Sequence, residues 1–233
     1  MAAIAFTGGK DSVLALHLVS RYLDPLVLVS FQGAHDFKAH KHEWMRLQAE
    51  SLAIPLAVKQ ITGPDYEESY RQAIRALAAD HKITKLVTGD IENVGEGFMD
   101  RAVRDTGVEL VRPLWKMPRT EVLDLLRSFN IVYVVTLTRL DKLPKPISER
   151  LLGHVSNHEY LLEQFAWYKR TFDVDLLDTV DLAGEFGEMH SMVRDCPMFR
   201  FQVVHGNGAN LVTQTQFGSY MYLEPGELRL VPK

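Results

Sequence analysis

The sequence predicts an α/β fold: a doubly wound parallel sheet followed by a smaller C-terminal α+β domain. Three observations carry that expectation. Apolar strand-like runs alternate with helical periodicity through the first half of the chain. Two of those runs end in glycine turns, Gly8-Gly9 and Gly89-Asp90. After about residue 140 the rhythm is lost, with Leu143-Pro144-Lys145-Pro146 as the breaker.

Taken in order, Ala2–Phe6 reads as a short apolar strand, and Val13–Val19 continues a helix opened by the intervening turn. Pro25–Phe31 is apolar at nearly every position, as suits a strand buried on both faces. Gln32–Lys41 is a polar loop, and Glu43–Leu52 has helical spacing with Trp44, Leu47 and Leu52 on one side. Pro55–Ile61 is a third strand, and Asp65 caps a helix running to Ala79. Lys85–Thr88 and Glu109–Pro113 are further strands, Thr120–Phe129 is helical, and Ile131–Leu137 is β-branched and extends the same rhythm. Beyond the breaker, Asn157–Phe172 is an amphipathic helix, and Phe199–Val204, Leu211–Thr215 and Tyr220–Leu223 are short strand-like runs. The expected division is residues 1–130 and 131–233.

At 233 residues with 46% apolar and 24% charged residues, the chain can bury a substantial core. A net charge of −4 gives no strong nucleic-acid signal. The single cysteine, Cys196, excludes an intrachain disulfide and a cysteine-based zinc site, and fits a reducing compartment. No segment reaches the ~18 apolar residues of a membrane helix. No signal-peptide pattern precedes the first strand, so a cytoplasmic protein is expected.

The first turn carries the chemistry. Strand, two glycines and a helix start direct backbone N–H groups and the positive end of a helix dipole at an anion. Lys10 adds a mobile cation, and Asp11 with Ser12 offers oxygen to Mg²⁺. A Walker A loop is excluded, because Ile4 stands where its first glycine must be. Thr7–Ser12 instead resembles the PP-loop, Ser-Gly-Gly-x-Asp-Ser, of the ATP pyrophosphatases, with Thr7 standing for the usual serine. In a doubly wound sheet ligands bind beyond the carboxyl ends of the strands, so Gly8-Gly9 and Gly89-Asp90 are expected at one site. Glycine at 89 would let a ligand approach closely, and Asp90 could meet a ribose or a metal.

Glu185 and Glu188, three residues apart among glycines, suit cation capture, Mg²⁺ or proton handling. His35, His40 and His42 crowd one loop without completing a metal site, and are expected to lie exposed near the nucleotide. Cys196 precedes a proline with no activating base in sight.

Together these residues resemble the diphthine–ammonia ligase family, the PP-loop group that amidates diphthine on elongation factor 2. The resemblance rests on Thr7–Ser12, Gln48–Pro55, Gly89-Asp90-Ile91, Arg112–Trp115, Leu152-Gly153, and Gly184-Glu185-x-Gly187-Glu188 followed by Asp195-Cys196-Pro197-Met198-Phe199. It implies a Rossmann-like ATP domain of the adenine nucleotide α-hydrolase type over 1–130 and a smaller substrate-binding domain over 131–233. It implies an AMP-forming carbon–nitrogen ligase that uses ATP with Mg²⁺ and takes nitrogen from ammonium. Thr7, Gly8, Gly9, Lys10, Asp11, Ser12, Gly89 and Asp90 would hold the nucleotide. Lys10, Asp11 and Ser12 would serve catalysis, Asp11 would hold the metal, and Glu185 and Glu188 would face the substrate. Oligomeric state and the general base are not specified.

The family pattern is broken at Glu92–Asp100, which is acidic and glycine-rich where aromatic and basic residues are usual, at His154, and at Met189. A divergent paralogue adenylating another carboxylate, or a nucleotide-binding module without catalysis, fits the same loop. A tRNA-modifying or sulfur-transfer enzyme of the superfamily would call for a cysteine pair or a basic face, and the sequence displays neither.

Overall fold

A computed structural model describes residues 1–33, 38–93 and 95–233. His35, and Val94 of the acidic stretch, lie outside the described residues. The first half forms β1 (Ala2–Ala5), α1 (Lys10–Val19), β2 (Pro25–Gln32), α2 (His42–Leu52), β3 (Leu56–Gln60), α3 (Tyr66–His81), β4 (Lys85–Val87), α4 (Phe98–Ala102), β5 (Glu109–Val111) and α5 (Arg119–Ser128). The strands make one parallel sheet in the order β3-β2-β1-β4-β5. The chain runs outward from β1 to β3, then returns to lay β4 on the other side of β1. The strand order therefore reverses at β1 and β4, and the crevice beyond their carboxyl ends is where such sheets bind ligands.

The apolar runs are explained by burial on two faces. Val27 and Val29 of β2 enter one cluster with Ala3, Ile74, Leu77 and Leu86, while Leu28 enters the other with Ile4, Leu14 and Leu16. Asp65 caps α3 by accepting a hydrogen bond from the Glu68 N–H at 2.9 Å.

The second half comprises β6 (Val132–Arg139), α6 (Lys145–Leu151), β7 (Val155–Ser156), α7 (His158–Phe172), a 3₁₀ turn (Leu176–Asp178), β8 (Met189–Asp195), β9 (Phe201–His205), β10 (Ala209–Thr215), β11 (Gly218–Glu224) and β12 (Leu228–Pro232). Here one expectation is corrected. The β-branched run near 131–137 does form a strand, but β6 does not extend the parallel sheet. It pairs antiparallel with β8 along one side and with β7 and β11 along the other, at the centre of a second sheet. Three antiparallel neighbours give it more hydrogen bonds than the edge of the short, half-exposed β5 would.

The largest apolar cluster ignores the midpoint of the chain. It joins Ile4, Leu14 and Trp44 to Tyr133, Met192, Val193, Phe199 and Leu223. Between them runs a polar seam on α2. Trp44, Gln48 and Ser51 recur at helical spacing, and all three are fully buried. Trp44 Nε1 and Gln48 Nε2 donate to the Val193 carbonyl at 3.1 and 2.7 Å, and Ser51 Oγ donates to the Phe201 carbonyl at 2.6 Å.

Candidate active site

Beyond the ends of β1 and β4 lies a cavity of about 540 Å³, within the range of small-molecule sites. Its floor is Thr7, Gly9, Lys10, Asp11 and Ser12, the turn into α1. One end is apolar and aromatic, formed by Val29, Phe31, Tyr70 and Met99, with the Phe31 and Tyr70 rings 4.7 Å apart. The far wall comes from the second half of the chain: Gly184–Gly187 and Met189–Ser191.

The turn at the floor is shaped by local chemistry. Gly8 has φ +71°, a value that favours glycine. A Cβ there would lie 2.1 Å from Gln48 Oε1. Thr7 Oγ1 accepts the Gly9 N–H at 3.3 Å and donates to Ser12 Oγ at 3.3 Å, so the threonine hydroxyl braces the turn from within. Two bonds then anchor the turn to β8: Gly8 C=O accepts from the Val193 N–H at 2.8 Å, and the Lys10 N–H donates to Ser191 Oγ at 3.2 Å. Gln48 Nε2 also donates to the Gly8 carbonyl, at 2.9 Å.

Lys10 is buried, and its Nζ bridges Asp11 Oδ2 at 2.7 Å and the Ala183 carbonyl at 2.5 Å. The other Asp11 oxygen, Oδ1, is buried without a hydrogen-bond partner. A buried carboxylate oxygen left unpaired beside a glycine turn suits a hard cation such as Mg²⁺. Gly89 and Asp90 also line the cavity. The fold adds a reason for glycine at 89, since a Cβ would strike the Asp11 carbonyl and Ser12 N at 2.8–2.9 Å. The close approach seen here is that of α1. Asp90 Oδ2 accepts from Thr88 Oγ1 at 2.7 Å, and burial raises its pKa against the lowering effect of that bond and of Arg112.

The two glutamates take different positions. Glu185 lines the cavity, and its Oε1 accepts the backbone N–H groups of Ile91 and Glu92 at 3.1 and 3.0 Å, joining the far wall to the loop after β4. Burial raises its pKa, opposed by those hydrogen bonds. Glu188 is only 2% exposed and is not on the cavity wall. Its carboxylate accepts from the backbone N–H of Asp181 at 3.3 Å and of Phe186 at 3.0 Å. In this arrangement it braces its own loop instead of facing the cavity, because folding the loop back buries N–H groups that need an acceptor. Arg119 ties the same loop to α5 through Asp181 at 2.7 Å.

The histidine loop is also corrected. His42 is exposed at the start of α2, but His40 is half-buried on the cavity wall, its ring edge-on to His190 at 5.3 Å. Burial first, and then the neighbouring positive charge of Lys10, lowers the pKa of His190 to about 4. His40 is held well below its ordinary value by burial and by repulsion from His190 and Lys10. Both imidazoles are neutral near pH 7. Among the described residues no cluster of three metal-ligating side chains occurs. Cys196 is buried, with its thiol pushed up to about 12 by desolvation, which removes it as a nucleophile.

Reading the sequence left Ser191, Ala183, Arg119 and the aromatic end without roles. Gln48 was visible within a matched run, and a glutamine inside an apolar helical stripe was the available signal.

A parallel sheet with its reversal at β1, and a Gly-Gly-Lys-Asp-Ser turn opening α1 over a cavity, are similar to the arrangement of the PP-loop ATP pyrophosphatase class. Residues 1–110 match the family model described as the diphthamide synthase N-terminal domain, so this part of the chain is similar to that family. A tRNA(Ile)-lysidine synthase of Nitrosomonas europaea is 25% identical over 168 residues, an alignment that takes in 59% of this chain and 36% of that protein. The chain thus spans about a third of the length of that relative. Among solved structures, the U34-tRNA thiolase of Methanococcus maripaludis, with its 4Fe–4S cluster, aligns over 76% of this chain and 68% of its own at 14% identity and a TM-score of 0.38. Among the described residues no helix is long and apolar enough to cross a membrane.

Proposed function

We propose that the protein is an ATP-dependent amide ligase. In this reading it adenylates a carboxylate, that of diphthine on elongation factor 2, and converts it to the amide with ammonium, releasing AMP and pyrophosphate. The observation that carries the reading is the placement of the Thr7–Ser12 turn opposite Glu185 across one cavity, in a chain whose N-terminal half matches a diphthamide synthase domain.

Val29, Phe31, Tyr70 and Met99 offer the base an apolar end, and the turn with the start of α1 offers the phosphates N–H donors and a positive dipole. Lys10 sits where charge develops on the phosphates. Asp11, aided by Asp90, would hold Mg²⁺, which supplies charge neutralisation to the phosphates when bound. The substrate carboxylate oxygen bonds to the α-phosphorus as the bond to the β-phosphate oxygen breaks, and pyrophosphate leaves. Ammonia nitrogen then bonds to the acyl carbon, the acyl–oxygen bond breaks, and AMP departs with the former carboxylate oxygen. Ammonium must first lose a proton, and phosphate groups near His40 and His190 favour protonation of those neutral rings. Glu185, on the wall given by 131–233, presents negative charge to a trimethylammonium group. The cytoplasm is the compartment where ATP and elongation factor 2 meet.

The test incubates the protein with ATP, Mg²⁺, ammonium and diphthine-bearing elongation factor 2. AMP and amide product in equal amounts are expected, and Glu185→Gln should lose amide formation while retaining nucleotide binding. AMP formed only with another carboxylate would point to a divergent paralogue. Nucleotide binding with no AMP from any acceptor would leave a binding module.

A further inference from the structure

The outer edge of the second sheet differs from the rest of the surface. From Gly206 to Leu223 the chain contains no Asp, Glu, Lys or Arg, in a protein where 24% of residues are charged. This stretch is the β10–β11 hairpin, and β10 is the outermost strand, with β11 as its neighbour. Leu211, Val212 and Phe217 are 41%, 59% and 73% exposed.

The direction of its backbone groups follows from register. The Ser219 carbonyl accepts from the Leu140 N–H at 2.9 Å, so Ser219 faces the β6 side. Alternation then turns Tyr220 towards β10, where its partner is Thr213. Leu211 and Thr213 therefore direct their backbone groups at β11, and Asn210, Val212 and Gln214 direct theirs at the open edge. Among the described residues none of those three has a backbone partner on that side. Three other edge strands are guarded: β3 carries Lys59 after Pro55, β5 carries Glu109, and β12 carries Arg229 and ends in Pro232. β10 has no charge, no proline and no bulge.

We propose that β10 pairs antiparallel with β10 of a second copy of this chain, about a two-fold axis at Val212. In that register Asn210 lies opposite the partner's Gln214, Leu211 opposite the partner's Thr213, and roughly six backbone hydrogen bonds form. The exposed Phe217 reaches the partner's Asn207, between two glycines. A two-fold pairing sets central side chains against their own copies, so a charge there would meet itself. The uncharged stretch removes that penalty, and amide-bearing Asn210 and Gln214 stand at equal distances on either side of the axis. This symmetry favours a second copy over an unrelated strand.

Sedimentation velocity on the full chain tests the pairing, with hydrogen exchange read residue by residue. The wild type should be a dimer that dissociates on dilution, with the Asn210, Val212 and Gln214 amides protected only in the dimer. Val212→Lys sets two ammonium groups across the axis and should weaken dimerisation about tenfold or more. Val212→Thr should stay dimeric. Gln214→Pro deletes one outward N–H without touching the β11 ladder, and serves if the lysine variant fails to fold. A wild type that is monomeric at about 100 µM, or a dimer indifferent to both Val212→Lys and Gln214→Pro, would overturn the proposal.

Discussion

The two walls of the cavity are built on opposite plans. The Thr7–Ser12 turn works through its backbone: a glycine at positive φ, N–H groups at a helix start, and a carbonyl bound by Val193 and Gln48. The 181–188 wall works through side chains. Glu188 satisfies the loop's own N–H groups, Glu185 reaches across to Ile91 and Glu92, and Asp181 takes Arg119. A backbone plan leaves a motif in the sequence, because few residues permit the conformation. A side-chain plan leaves two similar acids whose roles depend on partners far along the chain.

The sharpest way to break this contrast is Gly8→Ala. The new Cβ displaces Gln48, which is fully buried and bonded to both Gly8 and Val193. Chemical denaturation should show a loss of about 2–4 kcal/mol, with nucleotide binding abolished. Unchanged stability would mean the turn tolerates a side chain and the backbone plan is wrong.

Glu188→Ala comes next. It strands the Asp181 and Phe186 N–H groups and should cost about 2–3 kcal/mol, whereas Glu185→Gln should cost under about 1 kcal/mol. Equal costs in equilibrium unfolding would erase the distinction between brace and wall. Lys10→Ala should lower AMP formation at least tenfold, equivalent to about 1.4 kcal/mol of barrier, in a direct assay of AMP release. Full turnover would remove Lys10 from the chemistry.

The smallest effect concerns pH. The folded pKa of His190, about 4, lies below the ordinary 6.5, so the unfolded chain takes up the proton first. The stability that the neutral ring contributes is present above pH 6.5 and is lost as pH falls towards 4. The whole shift is worth about 3 kcal/mol, and contact with the open cavity reduces the expected difference to about 1–2 kcal/mol. Wild type and His190→Asn, unfolded at pH 7 and pH 4.5, should diverge by that amount. Parallel pH profiles would place the origin elsewhere.

The parallel sheet was legible because its strands are buried on both faces and their apolar runs are unbroken. The α3 cap at Asp65 and the turn into α1 were legible for a related reason: each is a local arrangement that few residues can make. β6 was read as a strand but given the wrong sheet, since pairing direction has no local signature in a β-branched run. β8 and β12 were missed. The first mixes His, Ser and Arg into Met189–Asp195, and the second needs β9 beside it before Leu228–Pro232 looks extended. His40 looked like part of a solvated loop because its burial comes from residues 190–192, about 150 positions away. Glu188 resembled Glu185 until the fold supplied the N–H groups it binds.

The bonds from Ser191 and Val193 to the Thr7–Ser12 turn span more than 180 residues. On the ribosome the turn is made more than 180 residues before these anchors. A nascent chain that stops short of residue 190 has the whole motif yet lacks the strand that fixes its shape. The shape of the turn is therefore completed only once β8 has been made.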